Sequence, residues 1–227
     1  MPLTRRLDAL VGHQLERWQA AGRRTQTQPS IAIASLLGAG GEEIGRLVAD
    51  RLGYGLFGRD IVDEIARRRG VGETLMQGLD ERVRDRMHRY VADAFRSRVF
   101  NENDYLGEVV RAVTTLGRRG LAVIVGRGSA FILDPQSTLR VFLAAPVPVR
   151  VERIAKQRGL DRAQAEAFLR EEDARRTHFI RRHFGARLDD PLAYDVTLNT
   201  GLIAPAAGAD LVAQSLRARF PSAARPA

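Results

Sequence analysis

Three glycines within Gly38-Ala39-Gly40-Gly41, followed at once by Glu42 and Glu43, are the strongest chemical signal in this chain. A glycine loop that runs into a helix leaves backbone N–H groups unpaired, and the helix dipole adds positive potential at the same point. Without Cβ atoms, Gly38, Gly40 and Gly41 let the backbone wrap an anion closely. The pattern points to a phosphate cradled by Gly38, Ala39, Gly40, Gly41, Glu42 and Glu43. The alternative is a tight turn that packs a helix onto a sheet. The full G-x-x-x-x-G-K-[ST] motif is absent. Gly41 stands at its lysine and Glu42 at its Ser/Thr, so the side chains that ordinarily reach the β/γ-phosphates and magnesium are missing. Carboxylates in a first helical turn suit the dipole, yet they repel a bound phosphate unless they turn outward or hold a metal. The dinucleotide fingerprint G-x-G-x-x-G fails as well, because Glu43 occupies its third glycine. Asp60 lies near the place of that motif's ribose-binding acid.

A second candidate is Arg127, held between Gly126 and Gly128 directly after the apolar run Ala122-Val123-Ile124-Val125. An arginine fork pairs two phosphate oxygens and keeps its charge at any working pH. Asp173 and Arg176, with Arg170 one step earlier, share a face of an arginine-rich helix by their three-residue spacing. An exposed ladder of ion pairs is the alternative there. Arg150 and Arg153 open another helix, where they reach phosphate or solvate the surface. The four histidines (His13, His88, His178, His183) have no metal-ligand spacing, and there is no cysteine.

These groups need a frame, and the apolar pattern supplies one. Residues 3–24 read as a helix with Leu7, Leu10, Val11, Gln14 and Trp18 on one face. Ile31–Ala34, Ala122–Val125, Leu139–Leu143 and Asp195–Asn199 read as buried parallel strands, with Tyr54–Phe57 as a shorter one. Between them lie helices from Glu42, over about Arg59–Arg69, within 73–100, from Leu106 to Leu116 ending at Gly117–Gly120, over Pro146–Lys156, Asp161–His183 and Pro205–Arg219. Alternating strands and helices predict an α/β fold, a parallel sheet with helices on both faces and the first strand between the third and fourth. In such folds ligands bind at the carboxyl ends of the strands, where both glycine segments fall.

At 227 residues and 44% hydrophobic content, the chain fits one medium domain with a sizeable core. No apolar run approaches the roughly 18 residues of a membrane helix, and 1–15 are too charged for a secretory signal; a cytoplasmic location without membrane contact is expected. The net charge of +9 comes from 36 basic residues, all arginine except Lys156. They are spread along the chain among acids, which predicts solvated faces and no specific nucleic-acid partner.

Taken together, the motifs resemble the cytidylate-kinase-like family of P-loop nucleoside monophosphate kinases. Ser35–Ile44 resembles its S-R-x-x-G-S-G-G-R-x-I loop, and Leu56–Ile61 its F-Y-D-R-[ED]-[LI]. Val123–Gly128 matches V-I-V-G-R-G, and Asp190-Pro191, Tyr194-Asp195 and Leu198-Asn199-Thr200 resemble D-P-x-x-Y-[DH]…[IL]-N-T. The resemblance covers about 31–220 in order. It implies a P-loop NTPase fold at 29–220 after a helical extension at 1–28, with a helical acceptor-binding insertion at 59–118, an arginine-rich lid at 150–187 and a frayed tail at 221–227. It implies phosphoryl transfer from ATP, with Mg2+, to CMP or dCMP. By position, Arg59, Asp60, Arg127, Arg170, Asp173 and Arg176 would meet the acceptor, with Arg127, Asp173 and Arg176 at the reaction centre. The loop residues with Arg150 and Arg153 would hold ATP. This chain departs from the pattern at three charged positions: Leu36 and Glu42 replace loop arginines, and Gly58 replaces the aspartate before Arg59.

Overall fold

The computed structural model describes residues 28–67 and 105–221, and all structural statements concern these. Five strands, β1 (Ser30–Ser35), β2 (Gly55–Phe57), β3 (Ala122–Val125), β4 (Thr138–Ala144) and β5 (Val196–Asn199), form one sheet in the order β2-β3-β1-β4-β5. Every pairing is parallel; Ile31 faces Val123 on one side and Leu139 on the other. The predicted sheet and its central first strand are therefore present.

Strand β1 shows why both faces need cover. Ile31 and Ile33 point to one side, against Ile44, Val48, Val212 and Leu216 of α1 (Gly41–Leu52) and α7 (Pro205–Arg219). Ala32 and Ala34 point to the other, toward Val62, Ile65, Val109, Val113 and Leu116 of α2 (Arg59–Arg67) and α3 (Tyr105–Arg119). Apolar residues on both faces are what a parallel sheet between helical layers requires. A separate small cluster, Val151, Ile154, Ala165 and Leu169, joins α5 (Val147–Arg158) to α6 (Arg162–Phe184), and Leu37 of the glycine loop packs against it. Helix α6 starts on a capping box: Asp161 accepts from the Gln164 N–H at 2.8 Å, and the Gln164 side chain accepts from the Asp161 N–H at 3.1 Å.

Helix α3 ends at Arg119, within the expected stop at Gly117–Gly120. A Cβ at Gly117 would come within 2.3 Å of Leu133, so this glycine serves helix packing and not a cap. A short helix α4 (Ser129–Ile132), which the sequence does not announce, follows the Gly126–Gly128 turn. Tyr194 belongs to the core: its hydroxyl donates to the Leu188 carbonyl at 2.7 Å, and its ring stacks on Phe142 at 4.9 Å. Burial pushes its phenol above the ordinary value. A folded-state pKa above the unfolded one, about 10, adds stability present below pH 10 and lost as pH rises beyond it. Alkaline unfolding monitored by near-ultraviolet dichroism should therefore begin earlier for wild type than for Tyr194→Phe.

The expected helices at 3–24 and within 73–100 lie outside the described residues, as does the tail from 222. No helix among the described residues is long and apolar enough to cross a membrane.

Candidate phosphate-binding site

The glycine loop leaves the carboxyl end of β1 and enters α1 at Gly41, with Gly40 as a left-handed N-cap (φ 79°) that offers no side-chain bond. The first intrahelical bond is Ile44 N–H to the Gly40 carbonyl, 3.0 Å. The N–H groups of Gly41, Glu42 and Glu43 therefore have no partner one turn back, as at any helix start. Gly38 also has a positive φ of 75°, and a Cβ there would lie 3.0 Å from the Arg150 carbonyl. Only glycine meets both conditions, so the loop can lie directly on α5.

Side chains hold this loop from behind by its carbonyls. Arg176 donates to Ser35 O at 2.8 Å, Arg150 to Leu37 O at 3.2 Å, Arg153 to Gly38 O at 3.2 Å, and Thr200 to Ala39 O at 3.0 Å. Asp173 accepts the Leu37 N–H at 3.1 Å and pairs with Arg150 at 2.5 Å. Arg150, 4% exposed, also donates to Ala145 O at 2.9 Å. Thus Asp173 does not form a ladder with Arg176; its partner is Arg150 on the neighbouring helix. Arg150 and Arg153, expected to reach a nucleotide, spend these contacts on the loop itself.

Arg176 is the electrostatic centre of the cluster. Burial pulls its guanidinium below its ordinary value; Asp173, Glu172 and Glu42 act against that, while the charge of Arg59 adds to it. Arg59, at the exposed first turn of α2, and Glu42, exposed at the start of α1, are therefore within electrostatic reach of Arg176. Two like charges beside one half-buried site are relieved by an anion between them.

Arg127 caps β3. Gly126, Arg127 and Gly128 are all left-handed (φ 78°, 55° and 70°), a conformation costing a non-glycine residue roughly 1 kcal/mol. The turn is held by Gly126 N–H to Ile33 O at 2.8 Å. The Arg127 side chain pairs with Asp63 of α2, and both are largely buried, at 18% and 13% exposure. Arg127 Nε and Asp63 Oδ1 are buried without a hydrogen-bond partner, so the pair leaves one donor and one acceptor unused. Asp60 is exposed. Arg170 is turned to solvent, 78% exposed and 3.9 Å from Glu166, apart from the loop cluster. Two residues of the site, Asp63 and Thr200, are not among those that sequence patterning marks as functional. Thr200 had a signal, the terminal residue of L-N-T; Asp63 had none.

With the geometry in place, relatives narrow its meaning. Residues 30–202 match the cytidylate kinase-like family. The chain belongs to that family. It is 26% identical over 183 residues to a cytidylate kinase of Methanopyrus kandleri, covering 75% of this chain and 83% of that protein. It is 29% identical over 98 residues to a cytidylate kinase of Pyrococcus horikoshii, covering 43% of this chain and 50% of that one. Among solved structures, an uncharacterized protein from Eubacterium ventriosum superposes with a TM-score of 0.68 at 18% identity, covering 84% of this chain and 99% of the other. That likeness shows the fold.

Proposed function

We propose that the protein transfers the γ-phosphoryl group of ATP to a nucleoside monophosphate, with CMP or dCMP as acceptor, inside the cell. The observation that carries this is the loop between β1 and α1, whose carbonyls are tied back while the N–H groups of Gly38 and Gly40 have no partner among the described residues. Such an array suits the β/γ-phosphates of a nucleotide. In this reading Arg127 holds the acceptor phosphate, and Arg176 with Arg59 offsets charge between donor and acceptor. Asp173 acts by fixing the loop and Arg150. Bound ATP brings the phosphoryl group and its magnesium ion. The loop fits the phosphates; on the metal side, Glu42 is the carboxylate at the loop–helix junction where a hydroxyl normally stands. The lid and acceptor-binding roles belong, in this proposal, to about 150–187 and 59–118.

Coupled ATP turnover by the purified protein against CMP, dCMP, UMP, AMP and GMP tests the reading. Turnover with the cytidine nucleotides should exceed the others. A preference for a purine acceptor would sink the acceptor assignment.

Glu42 favours a second reading, a nucleotide-binding regulatory protein with weakened or lost catalysis. It is an exposed carboxylate residue in the first turn of the helix whose N–H groups would receive phosphate. Reversing that charge should strengthen ATP binding by about tenfold at low salt and less at high salt, since the group is exposed and screened. The measurement is calorimetry with ATP on wild type and Glu42→Arg. Tight CMP binding without ATP binding in either protein would select the regulatory reading.

A further inference from the structure

The tethered carbonyls specify more than a fixed loop. A trans peptide is planar, with its C=O and N–H pointing in opposite directions. Whatever grips the carbonyl from the protein side therefore aims the next residue's N–H away from the protein. Arg176 grips Ser35 O, but the N–H of Leu36 is already spent on Leu143 O at 3.1 Å. Arg153 grips Gly38 O, and the Ala39 N–H turns back to Leu36 O at 3.1 Å. Two peptides remain. Arg150 holds Leu37 O, which aims Gly38 N–H, and Thr200 holds Ala39 O, which aims Gly40 N–H.

The geometry points to Thr200 as a positioning residue for the donor nucleotide: its hydroxyl, through the Ala39–Gly40 peptide, presents the Gly40 N–H to a polyphosphate. Three observations favour Ala39 O as the acceptor of the hydroxyl hydrogen. Thr200 is 3% exposed, so water does not compete. Arg153 donates both to Thr200 Oγ1 at 3.4 Å and to Thr200 O at 2.7 Å, which makes the hydroxyl oxygen an acceptor there. Its single hydrogen is left to Ala39 O at 3.0 Å or Ala144 O at 3.2 Å, and Ala144 O already accepts the Thr200 N–H at 2.8 Å. The brace also ties the loop to the carboxyl ends of β4 and β5. Packing at Gly40 does not hold this peptide, because Gly40 is left-handed and a Cβ built there meets no atom within 4 Å. With the brace gone, the peptide is free to turn its carbonyl toward the anion.

This inference rests on the proposed use of the loop for ATP, and the test separates the two. Thr200→Val keeps the side-chain shape and the backbone bonds but removes the hydroxyl; Thr200→Ser keeps the hydroxyl. Calorimetry with ATP and with tripolyphosphate should show about tenfold weaker binding for Thr200→Val, the size of one hydrogen bond to a charged group. CMP affinity should be unchanged, and Thr200→Ser should regain most of the loss. In wild type, the Gly40 amide proton resonance should move downfield on adding ATP, a readout independent of whether any variant folds. Equal ATP affinity in wild type and Thr200→Val, or a Gly40 resonance that ATP leaves in place, overturns the inference alone. Equal losses for ATP and CMP would mark a general structural role and also overturn it. A wild type that binds neither ATP nor tripolyphosphate overturns the proposed function, and this inference with it.

Discussion

Replacing Asp173 with alanine is expected to cost about 3–5 kcal/mol of stability, the range for removing one partner of a buried ion pair. The cost arises at Arg150, whose side chain is 5% exposed and would keep its charge without a counter-ion. A second loss falls on the loop, because Asp173 Oδ1 accepts the Leu37 N–H. ATP binding should weaken along with stability. Urea unfolding measures the first effect and calorimetry on the folded fraction the second. Asp173→Asn should recover little, since an amide can face Arg150 with its oxygen only by withdrawing that oxygen from Leu37. The double variant Asp173→Leu/Arg150→Met removes both charges and should restore part of the stability, as apolar replacement of buried pairs commonly does. It should not restore ATP binding, because the tethers on Leu37 would be gone. A cost below about 1 kcal/mol for Asp173→Ala would instead class the pair with exposed salt bridges.

The same pair shows where sequence reading stops. Short-range physics was legible. The run Ala122-Val123-Ile124-Val125 is apolar on both faces and lies buried in the sheet, and helix α7 begins and ends at Pro205 and Arg219 as its pattern predicts. Spacing on one helix also placed Asp173 near Arg176. It could not supply the partner, because Arg150 lies 23 residues away and Leu37 lies 136 away, on another helix and on the loop. In a chain with one lysine and dozens of arginines, composition gives no preference among candidate donors. Gly117 shows a related limit: the pattern marks 117–120 as the end of α3, and only the approach of Leu133 shows that Gly117 is a packing contact. Arg170 fits the helical spacing of the cluster but projects into solvent, where nothing in the pattern of α6 distinguishes it.

Arg127→Ala should weaken CMP binding by roughly a hundredfold, the loss of a bidentate, charge-assisted phosphate contact worth about 1.5–3 kcal/mol, and leave ATP binding nearly unchanged. Calorimetry with each nucleotide separately measures both. Backbone and side chain pull in different directions at this residue, which gives the experiment a control. Arginine pays for its left-handed φ of 55°, whereas glycine would not. Arg127→Gly should therefore be about 1 kcal/mol more stable than Arg127→Ala and bind CMP equally poorly. If the two differed in CMP affinity, backbone shape and not the guanidinium would be controlling the site. Asp63 supplies the opposite test. It holds the guanidinium while Arg127 Nε and its own Oδ1 stay unpartnered, so it competes with any incoming anion for the same charge. Asp63→Asn removes the competing charge and should tighten CMP binding several-fold, with the gain shrinking as salt rises. Weaker CMP binding in Asp63→Asn would mean that the carboxylate aims Arg127 at its ligand and does not compete for it. Unchanged CMP affinity in Arg127→Ala would remove Arg127 from the acceptor site altogether.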